Sequence, residues 1–99
     1  MAANPLVPEA YVTVEFAPSL RRHVECAPQF VMARSLREAL VSALQAAPEL
    51  SHYVFDDQGS IRKHVAIFVN QTLLRNRSDL IQVLAPGDKV LVIQALSGG

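Results

Sequence analysis

Between Leu36 and Ala47 the chain carries one apolar stripe at helical spacing: Leu36, Ala39, Leu40, Ala43, Leu44 and Ala47. Residues three or four apart share one face of a helix. Ser35-Leu36-Arg37-Glu38, immediately before the stripe, is a capping box. Its serine oxygen accepts from a free N–H of the first turn, and its glutamate reaches back to the cap. Pro48 ends the run, because proline lacks the N–H that would continue it. That stripe needs a sheet to cover.

The strands are legible on either side. Val12, Val14 and Phe16 alternate with Thr13 and Glu15, the period-two pattern of a half-buried strand. Val24 to Ala27 and Gln29 to Ala33, interrupted by Pro28, predict a second strand with an irregular start, paired with the first as a hairpin. His64-Val-Ala-Ile-Phe-Val69 is the most continuous apolar strand and should be central. Asn70-Gln71 turns the chain into Thr72-Leu73-Leu74, and Leu80 to Leu84 leads to Ala85-Pro86-Gly87-Asp88. In that turn proline supplies the negative φ of the second position and glycine the positive φ of the third, a type II pattern. Asp88 to Leu96 is the last strand. Leu50 to Lys63, centred on Asp56-Asp57-Gln58-Gly59, reads as a surface loop or insertion with a short ordered piece at Tyr53-Val54-Phe55. The expected product is an α+β domain over residues 11–95, a mixed four- to five-stranded sheet with one main helix on one face. A flexible leader over 1–10, with Pro5 and Pro8, should precede it and a flexible tail over 96–99 should follow.

Charge and composition exclude several classes of function. Nine basic residues balance nine acidic ones, so no net field draws nucleic acid or an anionic membrane, and Arg21-Arg22-His23 is too short for a basic arm. No apolar run approaches the ~20 residues needed to span a bilayer. The one cysteine, Cys26, cannot form an internal disulfide and is expected in an ordinary strand; the cytosol is the expected compartment. His23, His52 and His64 lack zinc spacing, and Asp56-Asp57 lacks the later ligands of a calcium loop. Arg75 to Asp79 reads as a solvated charged loop. Neither Gly-x-x-x-x-Gly-Lys nor Gly-x-Gly-x-x-Gly is present, so any ATP or metal would belong to a partner.

Ser97-Gly98-Gly99 closes the sequence. Two glycines there arise by chance in about one chain in 200. Without Cβ atoms, such an end can thread a channel closed to bulkier residues; on the dipeptide alone, a cloned linker is an equal reading. If Val90 and Val92 join the core, Leu91 and Ile93 emerge on the opposite face and lead towards the glycines.

Val69-Asn70-Gln71-Thr72, Leu84-Ala-Pro-Gly-Asp-Lys-Val90 and Ser97-Gly98-Gly99 come in this order with these elements. In this the chain resembles the ubiquitin-like β-grasp sulfur carriers, of the molybdopterin-synthase small subunit and thiamin sulfur carrier type, over Tyr11 to Gly99. It departs from them at Gln94, where many members carry proline, and at Leu96, where a smaller apolar residue is usual. The Leu50 to Lys63 stretch is longer than in the smallest members, as in carriers serving cysteine synthesis or specialised metabolism. The resemblance implies that an E1-like adenylyltransferase activates the Gly99 carboxylate with ATP. A sulfur donor, either a sulfurtransferase or sulfide, then makes the thiocarboxylate, and a downstream synthase takes the sulfur. The chain would be a protein cosubstrate or the small subunit of a synthase, binding no cofactor itself. Leu96, Ser97 and Gly98 would form the stalk for Gly99. Ile67, Leu91 and Ile93 would face the partner, with Phe68 as the core residue of its strand. Two alternatives remain open at this point: a ubiquitin-like modifier joined to target lysines through Gly99, and a non-catalytic β-grasp interaction module. The pathway is also open: a pterin precursor, a thiazole, cysteine or another metabolite.

Overall fold

A computed structural model of the chain describes residues 11–18, 27–76 and 80–94. In chain order it contains β1 (Val12–Phe16), β2 (Gln29–Val31), α1 (Leu36–Leu44), a 3-10 turn (Pro48–Leu50), α2 (Ser51–Val54), β3 (Val65–Val69), β4 (Thr72–Leu73) and β5 (Lys89–Gln94). The five strands form one mixed sheet in the order β2-β1-β5-β3-β4. β1 and β2 pair antiparallel, β5 is antiparallel to β3, and β1 and β5 run parallel at the centre. The expected leader, the 96–99 tail, Arg21-Arg22-His23, Cys26 and residues 77–79 lie outside the described residues.

Alternation along the strands sends one row of side chains under α1. Val12, Val14 and Phe16 of β1, Val65, Ile67 and Val69 of β3, and Val90 and Val92 of β5 are all buried, as are Leu36, Ala39, Leu40, Ala43 and Leu44 of the helix. Complete burial of a leucine such as Leu36 or Leu40 contributes roughly 1.5–3 kcal/mol. At the helix start, Ser35 Oγ accepts from the Glu38 N–H at 3.2 Å. The Glu38 carboxylate passes the cap residue and accepts from the Arg34 N–H at 2.8 Å. The helix stops at Leu44, before the end of the apolar stripe, because the N–H groups of Gln45, Ala46 and Ala47 bond to carbonyls three residues back. That tightening still leaves Ala47 in the core.

Two sequence expectations are corrected here. The second strand is only Gln29–Val31, with Ala27 and Pro28 outside it. Pro28 has no N–H to give to a ladder. The Leu50 to Lys63 stretch is more than a surface insertion, since Leu50, Val54 and Ile61 are core residues. They are brought inward by the 3-10 turn, by α2 and by a bridge between Phe55 and Ile61. Arg37 straps this segment to α1: its Nη2 donates to the Gly59 carbonyl at 3.2 Å, and its guanidinium lies 5.9 Å from the centre of the Phe55 ring. Within the segment Asp56 Oδ1 accepts from the Ser60 and Gln58 N–H groups at 3.0 and 2.8 Å. Those two bonds, with a smaller contribution from the Arg62 charge, hold its carboxyl below the usual aspartate range.

Candidate functional site

Two of the local motifs meet in space and aim the last strand. Asn70 and Gln71 both have positive φ, 50° and 72°, as the two central residues of a tight hairpin require. Asn70 Nδ2 donates to Asp88 Oδ1 at 2.9 Å, and Asn70 Oδ1 accepts from the Lys89 N–H at 2.9 Å. The other Asp88 oxygen accepts from the Ala85 N–H at 2.8 Å. The Asp88 N–H donates to the Ala85 carbonyl, closing the turn on Gly87, whose φ is 91°. The backbone of the same turn is tied to β1 through Gly87 N–H to the Tyr11 carbonyl and Thr13 N–H to the Asp88 carbonyl, both 3.0 Å. The start of β5 is thereby held by both neighbouring strands. Asp88→Ala removes the acceptor for both Asn70 Nδ2 and the Ala85 N–H. It should lower unfolding free energy by about 1–2 kcal/mol in urea titration; an unchanged midpoint would mean that water replaces both bonds at no cost.

The sheet face away from α1 carries the candidate docking surface. Ala66 pairs with Ile93 and Phe68 with Leu91 across β3 and β5, and Glu15 lies opposite Leu91 across β1 and β5. Phe68, Leu91 and Ile93 are half-buried and, with Thr13, Glu15 and Lys89, line a groove of about 660 Å³. Phe30 on β2, paired with Thr13, and Leu73 on β4, paired with Phe68, extend the apolar character to both edges; they are 40% and 45% exposed. Partly exposed apolar groups brought together on one face are the usual form of a protein contact surface.

Ile67 is not part of this face. Only 2% exposed, it pairs with Val92 and points under α1, while Phe68 occupies the open side. The reason is register: β3 is apolar on both parities, so alternation alone does not say which row is inside. Pairing with Val90 and Val92 decides it. Leu91 and Ile93 stand on the open face. Phe30 and Leu73, which sequence reasoning missed, carried a signal in their strand-type alternation with Val31 and Thr72. Ile81 and Val83 are also strongly exposed, at 80% and 81%. They lie beside the α1 N-terminus, where Val83 bridges Ser35, and do not line the groove.

β5 ends at Gln94, paired with Val65, and Gly99 lies five residues further on. Five extended residues span about 16 Å. The proposed reacting group and its stalk, Leu96 to Gly99, lie outside the described residues. Among the described residues no group of three or more His, Cys, Asp or Glu could hold a metal ion. No described helix is long and apolar enough to cross a membrane.

Comparison with known proteins agrees with this architecture. The structure matches SAMP1 of Haloferax volcanii with a TM-score of 0.77 at 22% identity, covering 90% of this chain and 99% of that one. It matches a chain of the Amycolatopsis orientalis BexX/CysO complex with a TM-score of 0.74 at 18% identity, over 89% and 99% of the two chains. For CysO of Mycobacterium tuberculosis the TM-score is 0.68 at 28% identity, over 86% and 99%. Comparison with curated proteins gives no match. Residues 20–99 match the ThiS family, a span that takes in α1, the strands β2 to β5 with Phe68, Leu91 and Ile93, and both motifs of the Asn70–Asp88 latch, and the chain belongs to that family.

Proposed function

We propose that this chain is a sulfur carrier whose Gly99 carboxylate is adenylated by an E1-like partner, converted to a thiocarboxylate and presented to a downstream synthase. The observation that carries the reading is the setting of β5. This strand is central and latched at its start, has an apolar groove along it, and ends five residues before Gly99. Membership of the ThiS family supports it, as does similarity to CysO, one relative of which is described in complex with BexX. A terminal carboxyl with a pKa near ~3.5 is ionised at neutral pH and is a ready nucleophile. Its oxygen attacks the α-phosphorus of ATP in the partner's site and pyrophosphate leaves. Sulfide then attacks the acyl carbon and AMP leaves. The open face, with Phe68, Leu91 and Ile93, holds the body of the carrier against the partner while the stalk reaches the reacting atoms.

Incubation with an E1-like activating enzyme, ATP and sulfide should replace one oxygen by sulfur, a gain of about 16 Da in intact mass. No gain with a panel of such enzymes would remove the reading. A second reading, conjugation to target lysines, is supported by the similarity to SAMP1, named a small archaeal modifier protein. Covalent adducts of the chain with other proteins, in place of the mass gain, would select it.

A further inference from the structure

Two opposite charges stand on the otherwise uncharged open face. Among the described strand residues of that face, Glu15 on β1 and Lys89 on β5 carry charge, and of the others all but Thr13 are apolar. Both charged residues are exposed, and both line the groove. Their places follow from register: Lys89 stands opposite Thr13, and Glu15 opposite Leu91. The two are therefore offset by two residues along β5 and by one strand across it, about 7 Å and about 5 Å. Lys89 lies at the latch end of the groove, with Asn70 and Gln71, whereas Glu15 flanks its apolar centre at Leu91 and Phe68. Asp88, next to Lys89 in the chain, is engaged in the latch, its two carboxylate oxygens accepting from Asn70 and Ala85.

We propose that Glu15 and Lys89 set the orientation of the activating partner on the open face. The protein surface that seats there has an apolar centre against Phe68 and Leu91, a lysine or arginine over Glu15 and a carboxylate over Lys89. This rests on the carrier reading above and names the partner's chemistry at that same face. Apolar contact is not directional, so Phe68, Leu91 and Ile93 supply attraction without fixing how the partner is turned about an axis through the face. Delivery of Gly99 into a partner's site needs that rotation fixed. One positive and one negative charge at separate positions fix it, because a partner turned end for end brings like charges together, which opposes the wrong complex. The chain has no formal net charge and the pair adds none, so its effect is on orientation more than on long-range attraction. The two side chains are also diagonal neighbours across β1 and β5, within reach of each other, and a pair that served only itself would orient nothing.

The test is adenylation kinetics, followed as pyrophosphate release, with an activating enzyme that accepts the wild-type chain, on two single reversals and on the exchange of the two residues. Glu15→Lys and Lys89→Glu should each raise KM about tenfold with kcat unchanged. The double variant, Glu15→Lys with Lys89→Glu, keeps the net charge and any pairing between the two positions but inverts what the partner meets. Its KM should stay at least as high as that of either single variant. A return of the double variant to the wild-type KM would show that the two charges serve each other and would overturn the proposal, as would a wild-type KM in either single variant. Glu15→Gln and Lys89→Gln, each expected to raise KM about threefold, carry the test if a reversal lowers the urea midpoint. Glu49→Lys makes an equal charge change at an exposed position of the 3-10 turn after α1 and should behave as wild type; an equal defect there would also overturn the proposal. Pyrophosphate release without the gain in mass would remove the sulfur-carrier reading and leave the orientation proposal to be decided by these KM values. No release from the wild-type chain with any activating enzyme would remove both.

Discussion

Removing Gly99 should reduce adenylation by an activating enzyme more than about 100-fold while leaving the melting temperature where it was. Deleting one residue withdraws the terminal carboxyl by about 3.3–3.6 Å, and misplacing a reacting group by even 1 Å costs on the order of 100-fold. The loss should appear in kcat/KM for pyrophosphate release. Stability should not follow, because among the described residues the core ends at Val92. A truncated chain that is adenylated normally would show that the reacting carboxyl lies elsewhere.

The second large effect separates two neighbouring residues. Ile67→Asp places a carboxylate at a position that is 2% exposed, beneath α1. An unpaired buried charge costs several kcal/mol, and the domain as a whole is stable by only about 5–15 kcal/mol. The variant should lose cooperative unfolding or shift its urea midpoint far down. Phe68→Asp, one residue on and half-buried on the open face, should unfold with a midpoint much nearer the wild type. Its defect should be in partner capture, seen as a rise in KM for adenylation of tenfold or more, the scale expected for a contact anchor. If the two variants swapped behaviours, the assignment of the two sheet faces would be inverted.

That pair also shows where the sequence was informative. The helix was legible because its apolar spacing and the Ser35-Glu38 cap agree. β1 was legible because polar Thr13 and Glu15 mark its outer row. β3 gave no such mark: Val65 to Val69 is apolar at every position, and only the pairing of Ile67 with Val92 tells which row is covered. The segment from Leu50 to Lys63 was legible only in part: the ordered piece expected at Tyr53-Val54-Phe55 overlaps α2 and the Phe55–Ile61 bridge, but its place in the core was not visible. Leu50 and Val54 stand four apart, but Pro48 before them and Asp56-Asp57-Gln58-Gly59 after them leave less than two turns of pattern, and Ile61 lies beyond the turn. What brings them inward is the 3-10 turn, α2 and the Phe55–Ile61 bridge, a segment that Arg37 straps to α1 through Gly59 and Phe55. The motifs around Asn70 and Asp88 were visible one at a time. That they form one hydrogen-bonded unit is a property of the folded chain alone.

The parallel alignment of β1 and β5 has a mechanical outcome. β5 lies between β1 and β3, with its hydrogen bonds to both perpendicular or slanted to its length. A pull along its carboxyl end therefore loads those bonds together in shear and does not peel them one by one. An enzyme that draws the final residues into a narrow passage works against a body that resists unravelling.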